Sequence, residues 1–152
     1  MNLLIRKMIL ADLPQVVAID QASFSLPWPA RSFQFELTDN VASRSWVAEL
    51  DQRILGMIVL WLIVDEAHIA TLATHPEFRR QGIGKQLLVH ALAAVKAEGA
   101  HRAFLEVRAG NVVAQEIYLR FGFAEEGRRP RYYKDNNEDA LLMTMNKLPE
   151  DT

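Results

Sequence analysis

One segment constrains the fold more than any other: a helix pattern that follows a predicted strand directly after two glycines. Residues 67–74 are typical of a strand. Gly82 and Gly84 come next, and Gly99 stands where a helix C-cap belongs. Between them, apolar residues recur at helical spacing: Ile83, Leu87, Leu88, Ala91, Leu92 and Val95. A strand–turn–helix unit of this kind needs a sheet with a helix packed on its face, so the sequence predicts an α/β fold.

The rest of the chain alternates between strand and helix patterns, without repeats or linkers. A capping box at Asp12 and Gln15 predicts a helix to Ala22, and the spacing of Phe33 and Leu37 predicts a second. A further helix is expected over residues 112–120, ended by Gly122. Further strands are expected at residues 3–8, 45–50, 54–64, 103–107, 131–134 and 140–146. We therefore expect one domain spanning residues 1–152.

The composition excludes several classes of function. With 17 Lys and Arg against 19 Asp and Glu, the 152-residue chain has a net charge of -2, so no whole-molecule field attracts nucleic acid, and direct nucleic-acid binding is not expected. The longest apolar run, residues 54–64, is far shorter than the ~20 residues of a membrane span. The absence of cysteine excludes disulfides and a thiolate nucleophile, and the four histidines lack metal-ligand spacing. These features favour a cytoplasmic protein without a metal or a membrane partner.

The glycine turn, which we define as residues 79–84, has the chemistry of an anion site. Its glycines let the backbone approach an anion, and the first N–H groups of the following helix have no partner within the helix. Arg79, Arg80 and Lys85 add positive charge. The alternative is a tight helix start with solvated arginines. The charge and the helix N-terminus together favour a phosphate or pyrophosphate ligand.

Two motifs resemble a known family. Arg79-x-x-Gly82-x-Gly84 is similar to the acetyl-coenzyme A pyrophosphate loop of the GCN5-related N-acetyltransferases (GNATs). Asn111-x-x-Ala114-x-x-Ile117-Tyr118-x-x-x-Gly122-Phe123 resembles the second cofactor motif of that family. The resemblance implies a mixed, mostly antiparallel sheet of six to seven strands flanked by about four helices. It also implies cofactor contacts from the predicted fourth strand, the glycine turn and the following helix: Leu72, Ala73, Thr74, Arg79, Arg80, Gln81, Gly82, Ile83, Gly84, Lys85 and Asn111.

Within the family, the chain most resembles the RimI-type ribosomal-protein alanine N-acetyltransferases. The residues that carry this likeness are Pro27-Trp28, Leu105-Glu106-Val107-Arg108 and Arg131-Tyr132-Tyr133. The likeness implies acetyl transfer from acetyl-coenzyme A to the N-terminal alanine of the eighteenth small-subunit ribosomal protein. Trp28, Tyr132 and Tyr133 would then contact the acceptor, although core or hairpin packing is the ordinary role of such aromatic residues.

Glu106 is the candidate general base. It shares one face of a predicted interior strand with Phe104 and Arg108. Burial there would raise the pKa of a carboxyl group toward the range useful for proton transfer. An ion pair with Arg108 is the alternative, and spacing alone does not decide between them. The resemblance assigns the base to this position.

Tyr118 and Asn111 also have two interpretations. Tyr118 suits a packed helix residue, whereas the resemblance makes it the acid that protonates the departing thiolate. Asn111 is at the predicted N-cap of the same helix, a role compatible with coenzyme A contact. Two further functions remain open: acetylation of a lysine, polyamine or small-molecule amine, and a non-catalytic module that binds coenzyme A or the ribosome.

Overall fold

The computed structural model describes residues 2–150, which form one sheet with helices on its faces. The strands are β1 (Leu4–Lys7), β2 (Ser43–Leu50), β3 (Arg53–Ile63), β4 (Glu66–Thr74), β5 (Arg102–Arg108), β6 (Ala124–Arg129) and β7 (Ala140–Met145). The α-helices are α1 (Leu13–Ser23), α2 (Ala30–Thr38), α3 (Ile83–Ala97) and α4 (Val112–Phe121). Short 3-10 helices cover Leu10–Asp12 and Pro76–Phe78.

The strand order across the sheet is β1-β2-β3-β4-β5-β7-β6. β4 and β5 pair parallel, and the other neighbouring strands pair antiparallel. This arrangement confirms the predicted mixed, mostly antiparallel sheet with about four helices. The β2–β3 hairpin turns at Asp51 and Gln52, whose φ angles of 49° and 67° fit the tight turn of a two-residue hairpin.

The main core lies under α3. The helix buries the stripe that its sequence predicts against Leu55, Ile58 and Leu60 of β3, and α4 joins the same cluster through Tyr118 and Phe121. On the opposite face, a second cluster joins α1 and α2 to the other side of β3. The middle of β3 is therefore covered on both faces, which explains its continuous apolar sequence.

The predicted capping box at Asp12 and Gln15 is wrong. Asp12 is buried and accepts hydrogen bonds of 2.8 and 2.9 Å from the Arg6 guanidinium and one of 2.8 Å from the Ile9 N–H. The side chain of Gln15 accepts the N–H of Ile54 at 2.9 Å. Both side chains serve tertiary contacts because a buried carboxylate needs a cation and the β3 backbone needs an acceptor.

The predicted strand at residues 131–134 is also wrong. Residues 130–139 form the β6–β7 loop, and the strand that pairs with β7 is the earlier Ala124–Arg129. Pro130 cannot donate to a ladder, and Arg131 has a φ of 51°, so the strand ends there. The N–H groups of Tyr132 and Tyr133 both donate to the carbonyl of Glu138 at 3.1 Å, which folds the loop back on itself.

Candidate active site

The site begins where β4 and β5 separate. Their parallel pairing ends at Ile69 and Leu105, although β4 continues to Thr74 and β5 to Arg108. A β-bulge in β4 at Ala70, opposite Val59 and Leu60 of β3, marks the same point. Beyond it, the β4 edge that holds Leu72, Ala73 and Thr74 no longer pairs with β5. Backbone groups on this edge are free to hydrogen-bond a ligand inserted between the two strands.

The glycine turn lies at the end of this gap. Gly82 is the residue before α3 and has a φ of 79°, and Arg80 has a φ of 65°, so the chain turns through two left-handed positions. Ile83 is buried and anchors the turn in the core. A methyl group added at Gly84 would meet only the Thr74 hydroxyl, at 3.6 Å, so the start of α3 is open on that side. The first N–H groups of the helix have no partner within the helix, so they can bind an anion at this open start.

Arg79 connects the glycine turn to two other elements. Its Nε donates to the carbonyl of Thr74 at 3.3 Å and its Nη2 to the hydroxyl of Ser23 in α1 at 3.2 Å. Arg79 therefore fixes the turn against β4 and α1. Arg80, Gln81 and Lys85 are exposed and remain available to a charged ligand. The structure thus brings the predicted cofactor residues of β4 and the turn together.

Glu106 lies on the other side of the gap, and the expected burial of its side chain is wrong. Its side chain is 31% exposed, and the cation beside it is Arg129, whose Nε lies 3.7 Å from Oε2. The carboxylate is exposed because α1 and α2 pack on β2, β3 and β4 and leave this face of β5 accessible. An accessible carboxylate can exchange protons directly or through water.

The alternative ion pair between Glu106 and Arg108 is not formed. Nη1 of Arg108 lies 3.0 Å from Oδ1 of Asp135 and 3.3 Å from Oε1 of Glu138, and its guanidinium carbon is 3.9 Å from the centre of the Tyr133 ring. Arg108 is therefore committed to the β6–β7 loop. Glu106 is left free of the partner that the sequence offered two positions away.

Tyr118 and Asn111 are placed by α4. The Tyr118 ring packs edge-on against Phe123 with centroids 5.7 Å apart, and burial raises the pKa of Tyr118 to about 12, so its hydroxyl stays protonated at neutral pH. Asn111 is the N-cap of α4, and its side chain accepts the N–H of Ala114 at 3.2 Å. Gln115 holds the helix to the end of β5 by donating to two backbone carbonyls at 2.9 Å.

The three aromatic residues expected at the acceptor site are on two loops. Trp28 is on the α1–α2 loop (residues 24–29). Its backbone N–H donates to the carboxylate of the buried Asp20 at 2.7 Å, and the centre of its ring lies 5.0 Å from that of the Phe33 ring. Tyr132 and Tyr133 are on the β6–β7 loop with their rings perpendicular, 5.2 Å apart. Arg129, whose Nε lies 3.7 Å from Glu106, has its guanidinium carbon 5.6 Å from the centre of the Tyr132 ring, which places this loop near the carboxylate. Burial raises the pKa of Tyr133.

Sequence reasoning missed a direct connection between these loops. The hydroxyl of Ser25 donates to Asp135 at 2.5 Å, although the two residues are 110 positions apart. It also missed Arg129 as the neighbour of Glu106. Neither contact has a signal in local spacing, because each depends on how the loops meet.

Residues 2–150 contain no cluster of three or more His, Asp or Glu side chains suited to a metal ion. None of the helices in these residues is long and apolar enough to cross a bilayer.

Comparison with known proteins identifies the class. Residues 13–123 match the model of the acetyltransferase (GNAT) family, which is more than half of the chain. The chain therefore belongs to the GNAT acetyltransferase family, as the glycine-turn motif and the motif from Asn111 to Phe123 led us to expect.

The chain is also similar to individual named proteins and to solved structures. A Bacillus subtilis protein named provisionally as a ribosomal protein bS18-alanine N-acetyltransferase is 40% identical over 139 residues, which cover 91% of this chain and 92% of that protein. The crystal structure of the ribosomal-protein-S18-alanine N-acetyltransferase from Escherichia coli matches with a TM-score of 0.87 and 27% identity, covering 98% of this chain and 96% of the other. A Bacillus anthracis protein described provisionally as a streptothricin acetyltransferase, solved with acetyl-coenzyme A, matches with a TM-score of 0.78 and 25% identity over 96% and 99% of the two chains.

Proposed function

We propose that this chain transfers the acetyl group of acetyl-coenzyme A to the N-terminal alanine of ribosomal protein bS18, and that residues 1–152 act as one catalytic domain. The observation that carries the proposal is the gap between β4 and β5, which has the glycine turn at one side and the accessible carboxylate of Glu106 at the other. The similarity to the Bacillus subtilis and Escherichia coli proteins supports the choice of acceptor. A ribosomal acceptor also favours a cytoplasmic location.

The residues around the gap fit acetyl-coenzyme A. The left-handed Gly82 and the open side of Gly84 leave the N–H groups at the start of α3 accessible to a pyrophosphate. The exposed Arg80 and Lys85 would add charge. The unpaired edge of β4 offers backbone groups to the amides of the pantetheine arm and one N–H to the carbonyl oxygen of the thioester. Asn111, at the start of α4, would contact the cofactor from the opposite side of the gap.

The reaction is a direct displacement, because the chain has no cysteine that could form a thioester of its own. The neutral amine attacks the carbonyl carbon, a C–N bond forms and the C–S bond breaks with its electron pair on sulfur. The amine then loses one proton and the sulfur gains one. Glu106 accepts the proton that the amine loses, directly or through water. An N-terminal amine has a pKa of ~7.7–8.0, so part of it is already neutral near pH 7 and only a weak base is needed.

We assign to Tyr118 the stabilisation of the leaving thiolate, as the family resemblance implies. A free thiol has a pKa near ~8.5, whereas that of Tyr118 is about 12. Complete proton transfer from Tyr118 to the thiolate is therefore unfavourable, and the phenol acts mainly as a hydrogen-bond donor to the developing negative charge. The final proton can come from water once the product leaves.

The acceptor enters from the Glu106 side, between the α1–α2 loop and the β6–β7 loop. Trp28, Tyr132 and Tyr133 supply aromatic surface for the first residues of an extended chain. Glu106 supplies a negative charge for the terminal amine. The non-catalytic alternative depended on a Glu106–Arg108 pair, and Arg108 instead contacts the β6–β7 loop.

The test measures free thiol released from acetyl-coenzyme A with three acceptors. These are a peptide with the first residues of bS18, the same peptide with a blocked N-terminus, and a blocked peptide that contains lysine. We expect release with the first alone, and mass spectrometry should locate the acetyl group on its N-terminal alanine. Release with the lysine peptide instead would move the function to the alternative acceptor class, and no release with any amine would contradict the proposal.

Glu106→Gln serves as the catalytic variant and Glu125→Gln as its matched control. Glu125 is exposed on β6, and the same change there removes one charge without touching the gap. We expect Glu106→Gln to lower kcat with the bS18 peptide by about a thousandfold, in the range of general base catalysis. Glu125→Gln should keep wild-type kinetics. Equal kinetics of the two variants would remove Glu106 from the base role.

A further inference from the structure

Arg108 lies where three segments of the acceptor side meet. It is at the end of β5, and its guanidinium stacks on Tyr133 while Nη1 contacts Asp135 and Glu138 of the β6–β7 loop at 3.0 and 3.3 Å. The side chains of all three charged residues are less than one quarter exposed, so the contacts are partly protected from water. Arg108 therefore holds the loop through one stacking contact and two charged hydrogen bonds.

Asp135 and Glu138 each accept a further hydrogen bond from another segment of the chain. The second oxygen of Asp135 accepts the Ser25 hydroxyl at 2.5 Å, which links the β6–β7 loop to the α1–α2 loop. The second oxygen of Glu138 accepts the N–H of Gly110 at 2.5 Å, one residue before the α4 cap. The hydrogen bond from Ser25, followed by that from Arg108, holds the pKa of Asp135 below its ordinary value, so this carboxylate stays ionised over the working pH range.

The loop that Arg108 holds lies on the same side of the sheet as Glu106. Arg108 is two positions from Glu106 on the same strand, so both side chains are on the same face. Tyr132, next to Tyr133 in the loop, lies over Arg129, whose Nε is 3.7 Å from the Glu106 carboxylate. A shift of the β6–β7 loop would therefore move the aromatic surface relative to the carboxylate, while the glycine turn would keep its own contacts through Arg79.

We propose that Arg108 is a positioning residue for the acceptor, which acts through Tyr133, Asp135 and Glu138 to hold the β6–β7 loop against the α1–α2 loop beside Glu106. The proposal deepens the proposed function and rests on it for its kinetic readout. Arg108 touches neither of the bonds that change in the reaction. Its contribution is the fixed distance between the two acceptor loops and the base.

The first test compares Arg108→Ala and Arg108→Lys in the full chain. Removal of the guanidinium leaves Asp135 and Glu138 without their shared cation, and we expect the KM for the bS18 peptide to rise about tenfold, since displacement of a binding group by a fraction of an ångström suffices for this. The KM for acetyl-coenzyme A should stay unchanged. Lysine keeps the charge without the planar fork, so Arg108→Lys should recover part of the affinity.

The matched control is Arg44→Ala. Arg44 forms a comparable pair with Glu98, with Nε 2.9 Å from Oε2, and connects β2 to the end of α3 away from the gap. This variant should keep both KM values. A second variant, Asp135→Asn, retains the volume of the side chain and weakens the same connection. Because it acts through the same contact, Asp135→Asn combined with Arg108→Ala should raise the peptide KM no further than Arg108→Ala alone.

Hydrogen exchange separates the failure of this proposal from the failure of the proposed function. If the wild type acetylates no peptide N-terminus, the proposed function fails, and the amides of residues 130–139 still report on the loop. We expect them to exchange faster in Arg108→Ala than in the wild type or Arg44→Ala. An unchanged exchange rate, or an unchanged peptide KM in an active enzyme, would overturn the positioning role. A parallel rise in both KM values would also overturn it, because it would indicate general loosening of the fold.

Discussion

The two halves of the sheet differ in how completely they are covered. In the half built by β1 to β4, α3 packs on one face and α1 with α2 on the other, so residues 54–60 of β3 are all buried. In the half built by β5 to β7, α4 (Val112–Phe121) has no fully buried residue, although Tyr118 and Phe121 are partly buried against the core, and β6 is exposed along most of its length. Every residue proposed for the acceptor side except Trp28 belongs to the second half.

The difference separates two tasks. A sheet covered on both faces supplies most of the apolar burial that stabilises the chain. A sheet with an accessible face exposes a charged group such as Glu106 to a substrate. The gap between β4 and β5 is the boundary between the halves, so the proposed cofactor residues of β4 are on the covered side and the proposed acceptor residues of the β6–β7 loop are on the accessible side. Substitutions in the two halves should therefore affect different measurements.

The largest expected effect is on stability in the covered half. Leu87 is fully buried under α3, and Leu87→Ala should lower the free energy of unfolding by about 3 kcal/mol through lost burial and a cavity. Ile117 of α4 is 45% exposed, and Ile117→Ala should cost less than about 1 kcal/mol. Urea unfolding of both variants measures the two values. Equal losses would show that the halves contribute equally to stability.

Tyr118→Phe should affect activity rather than stability. The ring keeps its packing against Phe123, while the donor to the leaving thiolate is lost, so we expect kcat to fall by about a hundredfold. Thermal denaturation should show a nearly unchanged midpoint. Retention of wild-type kcat would remove Tyr118 from the reaction and leave it a packing residue.

The pH dependence of kcat/KM for the peptide should reflect the pKa of the acceptor amine and not that of Tyr118. Only the neutral amine attacks, so kcat/KM for the peptide should rise about tenfold from pH 7 toward a plateau above the amine pKa of ~8. Tyr118 donates in its protonated form, which persists until the pH approaches its pKa of about 12. The plateau should therefore extend to at least pH 10. A falling limb between pH 8 and 10 would indicate an essential acid other than Tyr118.

Replacement of each turn glycine by alanine should change the free energy of unfolding in opposite directions. Gly82 has a left-handed φ of 79°, so Gly82→Ala should destabilise the free protein by about 1 kcal/mol. Gly84 lies inside the first turn of α3 with room for a methyl group, so Gly84→Ala should stabilise it by up to about 1 kcal/mol. The same Gly84 variant should raise the KM for acetyl-coenzyme A several-fold, because a methyl group there obstructs close approach of the pyrophosphate. An unchanged KM would contradict the phosphate role of the turn.

Local patterns predicted several elements in both halves of the sheet. The α3 stripe, the β2–β3 turn and the Asn111 cap depend on residues within a few positions of each other, and each is present where the pattern placed it. The capping box at Asp12 failed because Arg6, six positions away near the end of β1, competes for the same carboxylate. The strand at residues 131–134 failed because alternation of aromatic and charged residues does not reveal the left-handed turn at Arg131.

The sequence by itself determined the class of fold and the glycine turn, since the motif spacing and the periodicity are properties of neighbouring residues. The candidate acid and base were assigned by the family resemblance, because spacing alone left a second interpretation open for each. Only the tertiary structure decided that Glu106 is exposed, that Arg108 contacts Asp135 and Glu138, and that Ser25 reaches a loop 110 residues away. These contacts join segments distant in the chain. Their partners are set by which strands neighbour each other and where the helices stop covering the sheet, and short-range spacing contains neither.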